Sequence, residues 1–158
     1  MVLIHLLTKT DQDEPFLLQL YCNIRADEFS SWPMPEEQKS FLMQMQYNMQ
    51  KQQYDQQLSY RRYDVIWHDE QRIGRFIVDR QEDGWRIIDI SILPSMQNQG
   101  IGSRLITDLQ NEAKLQNKKV ALSVLLTNPA KSLYERLGFK EYRRDEVYMG
   151  MEYTPSPD

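Results

Sequence analysis

A chain of 158 residues that is 41% hydrophobic and 27% charged has the composition of one ordinary globular domain, long enough to bury roughly 70% of its unfolded surface. Its net charge of −4 argues against nucleic acid as the main partner, since phosphate-binding surfaces are basic, and mildly suits a cationic acceptor such as an amine. Cys22 is the only cysteine, which excludes an intrachain disulfide and points to a reducing compartment.

The apolar start, Met1 to Leu7, lacks a basic region, adequate length and a small-residue cleavage site, and no stretch approaches the roughly 18 apolar residues of a membrane span. A cytoplasmic location without a membrane partner is expected. Val2 to Leu7 is predicted as a first, largely buried strand. Asp11 to Glu14 with Pro15 then opens a helix, with acids in the first turn and proline where no N–H is needed. Phe16, Leu17, Leu20, Tyr21 and Ile24 form its apolar stripe. After the break Ser30 to Pro35, a second helix runs from about Glu36 to Tyr54. It carries Phe41, Met45 and Met49 at i, i+4 and i+8, expected to pack into the core, and a glutamine-rich face expected to meet solvent.

From Tyr63 the period becomes two. Tyr63 to Trp67, Ile73 to Arg80 and Trp85 to Leu93 are predicted as antiparallel strands. Ile101, Leu105, Ile106, Leu109 and Ala113 give the next helix its buried face. Val120 to Leu125 is a continuous apolar run, expected in a central strand. Pro129 to Leu137 is a short helix closed by Gly138 in the left-handed conformation. Phe139 to Tyr142 and Val147 to Tyr153 form a final hairpin. One domain over residues 1–153 and a tail over 154–158 are expected, with a mixed α/β sheet of about seven strands and four helices.

The most informative segment is Gln97-Asn98-Gln99-Gly100-Ile101-Gly102, between the strand ending Ile92-Leu93-Pro94 and the third helix. Strand, glycine turn and helix N-terminus in that order build an anion site. Glycines admit a ligand to backbone N–H groups, and the helix adds the positive end of its dipole. A dinucleotide fingerprint is excluded because Leu105 stands where a third Gly or Ala is needed. A Walker loop is excluded because Ser103 and Arg104 follow Gly102.

The remaining pattern, Gln97-x-x-Gly100-x-Gly102, is followed by Asn128-x-Ala130-x-x-x-Tyr134 and Gly138-Phe139. Over roughly residues 73–153 the chain resembles the GNAT superfamily of acyl-CoA-dependent N-acyltransferases. The resemblance implies that fold, with a mostly antiparallel mixed sheet whose fourth and fifth strands part to admit the pantetheine arm. It implies acetyl-CoA as co-substrate, its pyrophosphate held by backbone N–H groups from Gln97 through Asn98, Gln99, Gly100, Ile101 and Gly102, with Ser103 close by. Gln99 stands where many relatives carry Arg or Lys, so weaker CoA affinity is expected.

The resemblance places the thioester-polarising N–H at Ile92 or an immediate neighbour, a donor of a kind worth about 2.7–4 kcal/mol of barrier. It makes Tyr134 the general acid for the departing thiolate, and Asn128 the residue that bonds the pantetheine or fixes the loop. Read singly, Tyr134 is a half-buried helix aromatic and Asn128 a turn residue; their joint spacing favours the catalytic roles. Asp89, inside the fourth strand, is either a base, direct or through water, or an outward-facing or ion-paired strand carboxylate. Arg25, Glu28, Trp32 and Tyr47 are expected acceptor-pocket liners. His5 and His68 lack companions, so no metal is expected. The leading function is acetyl transfer from acetyl-CoA to a primary amine, whether small molecule, peptide N-terminus or lysine, by a monomer or homodimer. The alternative is a non-catalytic acyl-CoA-binding regulatory module.

Overall fold

A computed structural model describes residues 3–57 (backbone alone at 57) and 61–156; Val2, in the predicted first strand, and the last two tail residues lie outside them. In chain order the elements are β1 (Ile4–Thr8), a 3-10 turn (Asp11–Asp13), α1 (Glu14–Ser30), α2 (Glu36–Gln57), β2 (Arg61–His68), β3 (Gln71–Gln81) and β4 (Gly84–Ile92). A second 3-10 turn (Pro94–Met96) leads to α3 (Ile101–Leu115), β5 (Val120–Leu125), α4 (Lys131–Arg136), β6 (Lys140–Arg144) and β7 (Tyr148–Tyr153). The seven strands hydrogen-bond in the order β1-β2-β3-β4-β5-β7-β6. The mixed, mostly antiparallel sheet and four helices expected from the sequence are present. The chain divides into two compact units, Met1–Ile77 with Asp89–Gln97, and Val78–Ile88 with Asn98–Asp158.

In the first unit the core is Leu17, Leu20, Tyr21, Tyr47 and Val65, with Phe16, Leu18, Tyr63, Trp67 and Leu93 packed against it. Burying each leucine is worth about 1.5–3 kcal/mol, and this is what fixes α1. Its predicted stripe holds as far as Tyr21, but Ile24 turns to solvent and Phe29 takes over inside. The start of α1 is set by Asp13, whose carboxylate accepts the Thr10 N–H at 2.8 Å and Arg72 Nε at 2.7 Å.

Three expectations are corrected. The strand expected to be largely buried, β1, is the sheet's first strand, antiparallel to β2, and one of its faces meets water: Ile4 is buried while Leu7 is exposed. The Phe41, Met45 and Met49 stripe is not core: these side chains are 63%, 44% and 60% exposed. The inward ridge of α2 runs through Lys39, Met43, Tyr47, Gln50 and Tyr54, on the opposite side of the helix at 100° per residue. An open groove of about 350 Å³ on the helix's outer side is lined by Glu37, Gln38, Phe41 and Leu42. Finally, β5 does lie inside the strand order, but it is not buried on both faces. Val120, Leu122 and Val124 point inward while Ser123 and Leu125 are exposed.

In the second unit α3 buries the five positions predicted for it. β5 runs antiparallel to β7 from Val120↔Tyr153 to Leu125↔Tyr148. Against β4 it is parallel, in register at Trp85↔Val120 and Arg86↔Ala121.

Candidate functional site

The glycine segment expected to bind the cofactor lies in the second unit from Asn98 onward. Asn98 and Gly100 both adopt left-handed backbone, with φ of 63° and 80°, and Gly100 is the N-cap of α3. Asn tolerates this region and Gly occupies it without a Cβ penalty, so the sequence turns the chain sharply into the helix. The Gly100 carbonyl accepts the Arg104 N–H at 3.1 Å, closing the first helical turn. Gly100, having no side chain, makes no cap bond, and the first-turn N–H groups at Ile101, Gly102 and Ser103 have no acceptor within the helix. A Cβ built on Gly100 would meet nothing within 4 Å. Open space beside Gly100, at the positive end of a 15-residue helix, fits the diphosphate of a CoA ester. The buried Ile101 side chain anchors the turn from below.

Further along the same unit, Asn128 fixes the entry to α4: its Oδ1 accepts the Ala130 N–H at 2.8 Å. α4 ends in a Schellman motif. Phe139 N–H donates to the Tyr134 carbonyl at 3.0 Å and Gly138 N–H to the Glu135 carbonyl at 3.0 Å, with Gly138 at φ 96°. Gln110 Nε2 closes the end by donating to the Leu137 carbonyl at 2.7 Å. Tyr134 is half-buried, its ring edge-on to Phe139. The Tyr-x-x-x-Gly-Phe spacing is therefore a helix stop that sets the tyrosine's position.

The first unit holds the other expected residues. Asp89 is ion-paired: Arg75 Nε donates to it at 2.6 Å and the Ser91 hydroxyl at 2.7 Å. Arg75, 4% exposed, also donates to the Tyr63 hydroxyl at 3.1 Å and to Gln50 Oε1 at 2.8 Å. Burial works against the guanidinium's charge, but Asp89 outweighs it and Arg75 stays protonated. Burial, then the Asp89 charge, pushes the neighbouring Tyr54 hydroxyl up to about 12. Ile92 closes β4, its carbonyl accepting Gln97 Nε2 at 2.9 Å; the next N–H, of Leu93, donates to the Ile73 carbonyl at 2.8 Å.

Of the expected liners, Arg25 lies over the Tyr21 ring at 4.3 Å and 3.7 Å from Glu28, itself largely exposed. Trp32 is half-exposed and packs on Phe29. Tyr47 is a core residue instead, 5% exposed, its hydroxyl donating to Glu14 Oε2 at 2.8 Å. Among the described residues no group of three or more His, Cys, Asp or Glu could hold a metal, and no helix is long and apolar enough to cross a membrane.

Two residues were missed from the sequence. Arg75 stands among apolar neighbours in β3, which is a signal for a paired cation. Gly74, before it, is a strand-interior glycine, a signal for close backbone approach. A Cβ there would lie 2.2 Å from the Ser91 carbonyl oxygen and 3.2 Å from Ile92 Cα.

A family model described as an acetyltransferase (GNAT) domain matches residues 59–141. The chain belongs to the GNAT acetyltransferase family. The family is one of acetyltransferases. Bacillus subtilis (strain 168) has a relative, the uncharacterized N-acetyltransferase CgeE, that is 35% identical over 72 residues. That match covers 45% of this chain and 28% of the relative, so the chain spans under a third of that protein. PaiA N-acetyltransferase from Thermoplasma acidophilum, solved in complex with coenzyme A, shares the fold with a TM-score of 0.74. The two are 17% identical, over 96% of this chain and 99% of that one. Spermidine N-acetyltransferase from Vibrio cholerae, solved with CoA and spermine, aligns with a TM-score of 0.66 at 22% identity, over 96% and 95% of the two chains.

Proposed function

We propose that this chain transfers the acetyl group of acetyl-CoA to a primary amine, borne by a small molecule, a peptide N-terminus or a lysine. The observation that carries this reading is the start of α3, where the left-handed Gly100 borders open space at the helix's positive end, followed in the same unit by Tyr134 packed on Phe139. The Asn98 to Ser103 backbone, with Gln97 before it, holds the diphosphate. Asn128 orders the turn that precedes Tyr134. The Ile92 N–H polarises the thioester carbonyl, and the Tyr134 hydroxyl gives its proton to the leaving sulfur. A lysine-like amine with a pKa of ~10.4 is neutral in about one molecule in a few thousand at pH 7, so proton removal from the acceptor accompanies binding. Arg25, Glu28 and Trp32 are the residues assigned to acceptor contact. The protein works in the cytoplasm as a monomer or homodimer, with neither nucleic acid nor membrane as partner.

The test is a thiol-release screen with acetyl-CoA against amines, polyamines, amino acids and peptides. Saturable release with one acceptor class is expected. Tight CoA binding without release for any acceptor would instead identify an acyl-CoA-binding module.

A further inference from the structure

We infer that Arg75 is a positioning residue for acetyl transfer, and that together with Gly74 it clamps the end of β4 that presents the Ile92 N–H. The inference rests on the transfer reading above for its catalytic consequence, while its structural half can be measured without turnover.

Two adjacent residues of β3 act on the same stretch of β4 in different ways. Gly74 gives up its side chain so that the Ser91 carbonyl and Ile92 Cα can occupy the volume a Cβ would fill. Arg75 reaches the Asp89 carboxylate, and the Ser91 hydroxyl donates to that same oxygen, so the segment Asp89 to Ser91 is tied at both ends to one ion pair. The Leu93 N–H then returns to the Ile73 carbonyl. Ile92 is bracketed on both sides by contacts from β3.

Arg75 is itself held. Its other two nitrogens donate to Tyr63 on β2 and Gln50 on α2, so three elements fix one planar group. Lysine could not do this: its point charge could satisfy Asp89 but not a fork of three directed donors. A buried ion pair is weak evidence of stabilisation, because an apolar pair of like volume is often as stable. What an apolar pair cannot supply is direction. A backbone donor aimed at developing charge works only while it is preorganised, which is why the clamp bears on rate.

The experiment compares wild type with Arg75→Met, Arg75→Lys and the double variant Arg75→Met/Asp89→Leu. It measures melting temperature, amide hydrogen exchange, and kcat and KM for acetyl-CoA with the acceptor found in the screen. In Arg75→Met, exchange at the Leu93 amide, which donates to the Ile73 carbonyl, should quicken tenfold or more while exchange within α3 is unchanged. Its kcat should fall at least tenfold with KM for acetyl-CoA within twofold. Arg75→Lys should fold and recover part of kcat. The double variant should regain melting temperature without regaining kcat, which separates positioning from bulk stability. Wild-type kcat in the double variant, or unaltered exchange at Leu93 in Arg75→Met, overturns the inference. A wild type that acetylates no amine ends the transfer reading and Arg75's catalytic role with it, and quickened exchange would still establish the clamp.

Discussion

Tyr134 and Phe139 meet edge to face, ring centroids 5.9 Å apart, because they occupy the two positions of the α4 Schellman motif whose side chains touch. The packing belongs to the ring and the chemistry to the hydroxyl, so the two can be separated. Tyr134→Phe should keep the contact and the melting temperature. If the hydroxyl protonates the leaving thiolate, kcat should drop about ten- to a thousandfold, or roughly 1.4–4 kcal/mol of barrier. KM for acetyl-CoA should move little, since the proposed function gives the holding of CoA to the α3 start. Steady-state kinetics under conditions where chemistry limits the rate decide the matter; activity within twofold of wild type leaves Tyr134 a packing residue.

Asp89 accepts hydrogen bonds from Arg75 and Ser91, which suits a structural carboxylate better than a base. Asp89→Asn removes the charge that Arg75 needs, so the expected result is a lower melting temperature and a pH–rate profile of unchanged shape. A base would show itself differently: the loss in kcat/KM would be greatest at low pH and the acidic limb would flatten.

Gly100→Glu combines two effects that need separate controls. The carboxylate enters the open space before α3 and repels a diphosphate, and any L-residue at φ 80° carries about 1–2 kcal/mol of backbone strain. Gly100→Ala carries the strain alone. Calorimetry should find CoA binding lost in the Glu variant and weakened far less in the Ala variant, with both melting a few degrees early. Equal affinities in both variants would make the loop a helix cap and nothing more.

The backbone geometry of the candidate cofactor segment was legible in the sequence because it is written in local chemistry. Gly100 and Gly138 occur where the backbone must turn left-handed, and Asn128, Tyr134 and Phe139 act through bonds within a dozen residues. The rest depends on which face of an element points inward, and α2 shows the difficulty. It carries Phe41, Met45 and Met49 on one side and Met43, Tyr47 and Tyr54 on the other, at the same helical spacing. Periodicity finds both stripes and ranks them by hydrophobicity; the fold turns the other stripe inward, and the buried Tyr47 donates its hydroxyl hydrogen to Glu14. Arg75 was missed for a related reason. Its partners Gln50, Tyr63 and Asp89 stand 25, 12 and 14 residues away, on three different elements.

The start of α1 sets an acid limit to stability. Burial would raise the Asp13 carboxyl, but the Thr10 N–H and Arg72 outweigh it and hold it below the ordinary carboxylate range. Glu14, likewise opposed by burial, is held low by Lys9, Tyr47 and Lys51. Both groups bind protons less readily folded than unfolded, so their contribution is complete above roughly pH 4.5 and is lost as pH falls through the folded values. Melting temperature followed from neutral pH downward should fall below that point, and Asp13→Asn should lower the neutral plateau while flattening the acid limb. A parallel fall in both proteins would exclude Asp13 as a contributor.

Gly74→Ala tests the close approach of β3 to β4 with one methyl group. With Ser91 oxygen 2.2 Å from the new Cβ, either strand must move, and overpacking of this kind costs about 1–3 kcal/mol. In a chain of this length that lowers the melting temperature by roughly 2–12 °C. An unshifted melting curve would show that β4 yields freely at this point.

The outward sulfurs of Met45 and Met49 give the protein a built-in contrast with Met149 and Met151, each 1% exposed. Peroxide reaches a thioether in proportion to its access to water, so the α2 pair should become sulfoxides while the β7 pair stays reduced for as long as the sheet is closed. Peptide mass spectrometry on a briefly oxidised sample would then read the fold from within. Sulfoxide at Met149 or Met151 marks molecules that had opened, and sulfoxide at Met45 or Met49 marks only those that had met the oxidant.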